Sequence, residues 1–247
     1  MRYGENMFIS KHSKFILTPI SDILQDATNS GLVLSYGIEC YPIIEYILQA
    51  VFLRMTGFLE QKGKCLCWDV ATNDLDFRYD VFINQTKGCS KQNNKSKVYS
   101  IIMAAINKKD SNYSLKDKSK DILISSKKEI INLLKKSFLI QSREADFLFF
   151  KNEELEVHNQ FIQDHSRLFE NNQRSCFLFK IYEQLQQERN RCAHNLKSYQ
   201  QNLPDLSSMC NEENKYNNYF YYLWLLVSID KVYIELFNKV SQQNYYQ

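Results

Sequence analysis

The run Tyr219-Phe220-Tyr221-Tyr222-Leu223-Trp224-Leu225-Leu226-Val227 is apolar at every position, and Ser228, Asp230 and Lys231 follow closely behind it. A helix without a polar face must be covered on all sides, by the rest of its protein or by lipid. Crossing a bilayer takes about 18 or more apolar residues in a row, and this run stops short of that. It reads as the central core helix, spanning Tyr216 to Val240, or as part of a subunit interface. The rest of the chain agrees with a helical fold. Among 247 residues there are only 6 Gly and 3 Pro, whereas sheet-rich folds need frequent turns built on Gly, Pro and Asn-Gly pairs. The expected architecture is all-α, one domain over residues 1–247, with long helices joined by polar loops. The 16 Phe and 16 Tyr call for a core of large aromatic side chains rather than leucines alone.

Working outward, Pro42 suits the first turn of an apolar helix over Pro42–Thr56, in which Ile43, Ile47, Ala50 and Val51 fall at helical spacing. Further helices are expected over Ser21–Ala27, Leu59–Thr72, Asp74–Ile83, Val98–Asn107, Ser119–Leu139, Glu153–Glu170 and Cys176–Glu188. In Ser119–Leu139, the residues Ile122, Ile130, Leu133, Leu134 and Phe138 follow one broad face. Polar loops are expected at 84–97 and around Pro204. The stretch Glu60–Tyr79, with Cys65-Leu66-Cys67-Trp68-Asp69 inside it, is too particular in composition for filler but matches no mechanism.

The seven cysteines (40, 65, 67, 89, 176, 192, 210) are odd in number and show no paired spacing. No cationic segment followed by an apolar run opens the sequence. Reduced thiols in a cytoplasmic protein are the simplest reading. Cys65-Leu66-Cys67 lacks the two-residue gap of a zinc knuckle and has no His beside it, so no metal site is expected. Net charge is +3 but unevenly spread: residues 87–136 carry 13 Lys against 4 acidic side chains. Such a Lys-rich region, about 85–136, can attract polyanions. A solvated loop and helix face accounts for it equally well.

One short stretch carries chemistry: Arg189-Asn190-Arg191-Cys192-Ala193-His194. It closes a long amphipathic helix and precedes the apolar core helix. An Arg is permanently cationic and presents a fork to two phosphate oxygens. A His near its unperturbed pKa of about 6.5 serves as acid or base at neutral pH. An Asn beside them can orient either one through a side-chain hydrogen bond. Those three groups suit cleavage of RNA, whose own 2′-OH attacks the adjacent phosphate.

The stretch resembles the Arg-(Asn/Asp/His)-x-x-x-His signature of the HEPN superfamily (higher eukaryotes and prokaryotes nucleotide-binding). The resemblance covers six residues and the helical setting. It implies a HEPN-like helical bundle with additional helices, and a metal-independent endoribonuclease acting on single-stranded RNA in a toxin or antiphage defence system. It implies catalytic Arg189, Asn190 and His194, with Arg191 and Lys197 as neighbouring RNA contacts. No cofactor is expected. RNA, a second copy of the chain, and an antitoxin or activator protein are the expected partners, with no membrane involved.

Positions five apart on a regular helix differ by about 140°, so Arg189 and His194 do not share a helical face. Either the helix breaks within the motif, or the two residues reach a shared cleft from its ends. A two-fold dimer with facing motifs is what the resemblance implies.

Plainer readings exist for each residue. Arg189 and Arg191 suit a helix C-terminus, where cations complement the dipole, and His194 beside Asn195 suits a helix cap. His158 and His165, seven apart, lack a third ligand. Glu60-Gln61-Lys62 has the Glu-x-Lys form seen on nuclease strands but falls in an expected helix. The competing functional class is a non-catalytic helical protein that binds RNA, a nucleotide or another protein.

Overall fold

The computed structural model describes residues 11–30, 37–73, 75, 77–79, 92–153, 177–194 and 216–244. Among them there is no strand. The α-helices are α1 (Lys11–Leu17), α2 (Ser21–Ser30), α3 (Tyr41–Asn73), α4 (Gln92–Lys109), α5 (Lys116–Leu134), α6 (Glu144–Asn152), α7 (Phe177–His194) and α8 (Tyr219–Asn244). Short 3-10 turns at Ile38–Cys40 and Phe138–Arg143 lead into α3 and α6.

The core is built around α8. Every residue from Tyr219 to Asp230 is buried, because α3, α5, α4, α7, α6 and α1 all pack against this helix. The apolar run is thus covered by its own chain and does not call for a second subunit. Aromatic contacts fill the space around it. Phe52 of α3 lies against Tyr219 and Tyr222, with centroids 5.6 and 5.7 Å away, and Phe147 and Phe150 of α6 close on Phe220 and Tyr221. Trp224, fully buried, donates from Nε1 to the Leu123 carbonyl at 3.0 Å, so its one polar atom is satisfied. Asn218 caps the start of α8, its Oδ1 accepting from the Phe220 and Tyr221 N–H groups.

Several boundaries differ from those expected. The two helices over Pro42–Thr56 and Leu59–Thr72 are one helix of 33 residues, running straight through Gly57. A helical Gly costs about 1 kcal/mol relative to Ala. Ile44, Leu48, Phe52, Met55, Leu59, Leu66 and Val70 are buried on both sides of it and more than offset that cost. The set differs by one register step from Ile43 and Ile47: Ile43 is exposed and Ile47 partly buried. Among the described residues α3 alone is long and apolar enough to cross a membrane by length and composition. Residues 92–97, expected as loop, begin α4. The helix expected over Ser119–Leu139 starts earlier and ends at Leu134, with a 3-10 turn over its last part. Neither α1 nor α6 was expected. Residues 154–170 and the segment around Pro204 lie outside the described residues.

One ion pair sits inside this apolar core. Lys62 of α3 (0 % exposed) donates from Nζ to Asp230 of α8 (2 % exposed) and to the Thr18 carbonyl at 2.6 Å. The other Asp230 oxygen accepts the Ile20 N–H at 3.1 Å. The pair pins the α1–α2 corner to both central helices. Burial pushes the Lys62 ammonium down and the Asp230 carboxyl up, each against the attraction of the other.

Candidate functional site

Helix α7 buries Leu178, Ile181, Tyr182 and Leu185, a spacing of three and four that marks its inward face. The same stripe, carried on at that period, reaches Glu188, Arg189 and Cys192. Polar groups on an inward face need partners, and the fold supplies them from α3 and α8.

Glu188 is the hub. Its carboxylate accepts from Arg191 through both Nε (2.8 Å) and Nη2, from the Tyr219 hydroxyl at 2.8 Å, and from the Cys192 thiol at 3.4 Å. Burial acts to raise this carboxyl, but the bonds from Arg191 and Tyr219 outweigh it and hold it below its usual range. Burial, added to by the same negative charge, drives the Tyr219 hydroxyl up and pushes the Cys192 thiol up to about 11. Cys192 is therefore a thiol, not a thiolate, at neutral pH. The ring of Tyr219 carries the Arg143 guanidinium, 5.3 Å from its centroid. Arg143 in turn forks Glu45 through Nε (2.5 Å) and Nη2 (3.1 Å). Arginine and carboxylate thus alternate from Arg191 to Glu45 across Tyr219, locking α7, α8, α3 and the 3-10 turn before α6.

Arg189 is held differently. Its Nη1 donates to Asn190 Oδ1 at 3.1 Å, and its Nη2 lies 3.8 Å from Glu60 Oε2 on α3, a long ion pair. Glu60 also meets Lys64, one turn further along α3, at 3.2 Å. Asn190 is exposed and Arg189 partly so. Helix α7 continues unbroken through Cys192 and Ala193 to His194, past the expected end at Glu188, so the motif is not the site of a helix break. His194 is the last residue of the helix, about 140° around it from Arg189 on ideal geometry. Lys197 lies outside the described residues.

The structure therefore brings Arg189 and Asn190 together, and turns Arg191 toward Glu188. Glu188, Tyr219, Arg143 and Glu60 were not singled out as partners of the motif. Glu188 had a detectable signal, a carboxylate in phase with Leu178, Ile181 and Leu185. Among the described residues no three of His, Cys, Asp and Glu gather into a set that could hold a metal ion. No family model matches the chain, and no curated protein and no solved structure matches it.

Proposed function

We propose that this chain is a metal-independent endoribonuclease of the HEPN type, cleaving single-stranded RNA with Arg189, Asn190 and His194. The observation that carries the reading is the contrast among three arginines. Arg191 and Arg143 have their forks filled by Glu188 and Glu45. Among the described residues, Arg189 has only its neighbour Asn190 and a 3.8 Å contact to Glu60. It is a cation whose fork remains available to a phosphate.

In the reaction, His194 takes the proton of the substrate 2′-OH or delivers one to the leaving 5′-oxygen. The 2′-oxygen bonds to phosphorus, the 5′-oxygen departs with a proton, and a 2′,3′-cyclic phosphate remains. Arg189 balances the charge that builds on the phosphoryl oxygens, and Asn190 orients its guanidinium. On ideal helix geometry Arg189 and His194 stand about 140° apart around α7, so two copies meeting about a two-fold axis would assemble the complete set on one phosphate. The Glu188–Tyr219–Arg143 network serves this site by fixing the last turn of α7.

The test is RNA digestion in EDTA. Cleavage should persist, leave a cyclic phosphate end, and spare 2′-O-methylated RNA. His194→Ala and Arg189→Ala should each lose about 10²–10⁴-fold in rate, with Asn190→Ala intermediate. A requirement for divalent metal, or full activity in His194→Ala, overturns the mechanism. Binding without cleavage in the wild type selects the non-catalytic RNA- or nucleotide-binding class instead.

A further inference from the structure

We infer that α3 carries a track for single-stranded RNA leading away from Arg189, over Lys64 to a base-stacking platform at Trp68. The inference rests on the nuclease reading of Arg189. A Trp that is 67 % exposed leaves most of a large apolar ring in water, where Trp is ordinarily well buried. Its place explains it. Arg189 docks on α3 at Glu60, and Glu60 pairs with Lys64 one turn on. Trp68 follows one turn beyond Lys64, about 12 Å from Glu60 along the axis and within about 80° of it around the helix. The outward side of α3 thus presents, in order, a guanidinium, an ammonium and an exposed indole.

Alternating cations and an aromatic face is how single strands are held without base pairing: cations on the backbone, a ring under a base. Glu60 lies between the two cations and occupies, in the free protein, the place of a phosphate. An incoming backbone displaces it from Arg189 and Lys64. The stretch Glu60–Tyr79, unexplained by its composition, then has a use.

The fold holds two tryptophans, and Trp224 is fully buried, so a change of emission on ligand binding reports Trp68. The probe is a 2′-O-methylated oligonucleotide of about eight nucleotides, which binds but cannot be cut. Its addition should quench Trp68. Trp68→Ala should weaken binding about 5- to 150-fold, the range of one lost base stack. It should also raise KM for cleavable RNA with kcat unchanged. Trp68→Phe should keep most of the affinity, measured by anisotropy of a labelled oligonucleotide, and Glu60→Gln should tighten binding.

Cleavage that proceeds with no quenching, and with Trp68→Ala unaffected, overturns the track and leaves the nuclease reading standing. Quenching and binding without cleavage supports the track and removes the nuclease. Emission that changes with protein concentration alone assigns Trp68 to contact between copies and also overturns it. Neither binding nor cleavage removes both.

Discussion

Replacing Asp230 with alanine strands a buried ammonium. Lys62 is fully enclosed and donates to two acceptors, Asp230 and the Thr18 carbonyl; the substitution leaves the uncharged one, with the weaker attraction of Asp22 as the remaining opposite charge. Removing one member of a buried pair typically costs about 3–5 kcal/mol. The Ile20 N–H loses its acceptor as well, worth about 1–3 kcal/mol when buried. Together these approach the whole stability of an ordinary domain, about 5–15 kcal/mol. Urea unfolding followed by circular dichroism at 222 nm should show a large fall in midpoint. Part of the loss should be recoverable. Lys62→Met added to Asp230→Ala removes the stranded charge and should restore most of the 3–5 kcal/mol. The pH dependence follows from the sign of the Lys62 shift. Burial lowers its folded pKa, so the folded variant prefers a neutral amine, and raising pH toward the unfolded value of about 10.4 should shrink the deficit. An Asp230→Ala protein within about 1 kcal/mol of wild type, or a double variant no better than the single one, refutes the placement of this pair.

Glu188 has a folded pKa held below its unfolded value, so its stabilisation is present above the unfolded pKa of about 4.3 and is lost as pH falls through the folded value. Melting temperature should therefore drop more steeply below about pH 4.3 in wild type than in Glu188→Gln, and parallel curves count against the network. Cys192, with its thiol pushed up to about 11, should react with iodoacetamide roughly a hundredfold more slowly at pH 8 than in the unfolded chain. Equal labelling rates by mass spectrometry would place it elsewhere.

The helical class was legible because its evidence is local: few turn residues, and a run from Tyr219 to Val227 with no polar side. Pro42 likewise marked a real first turn. What escaped depends on residues far apart. Asp230 looks like the charge that ends an apolar segment. Its partner Lys62 lies 168 positions away, and nothing near either residue announces the other. The continuity of α3 through Gly57 is likewise decided by burial on both sides, not by propensity. At the site, Arg189, Asn190 and His194 were visible as a spacing. The loose hold on Arg189 was not, because Glu60 comes from another helix; the filled fork of Arg191 is a local pair, Glu188 lying three residues before it.

The helix that fills the core is the last of the described helices to be made. During translation at about 5–20 residues per second, the 145 residues between the end of α3 at Asn73 and the start of α8 at Tyr219 take roughly 7–29 s to make. Throughout that interval the face of α3 that packs against α8 has nothing to close on, and Lys62 awaits a partner not yet synthesised. A nascent chain of this design spends its synthesis with apolar surface open to chaperones. The Glu188–Tyr219 contact that fixes the end of α7 forms only once α8 has arrived, so the order of synthesis leaves the last turn of α7 unanchored until the core itself is complete.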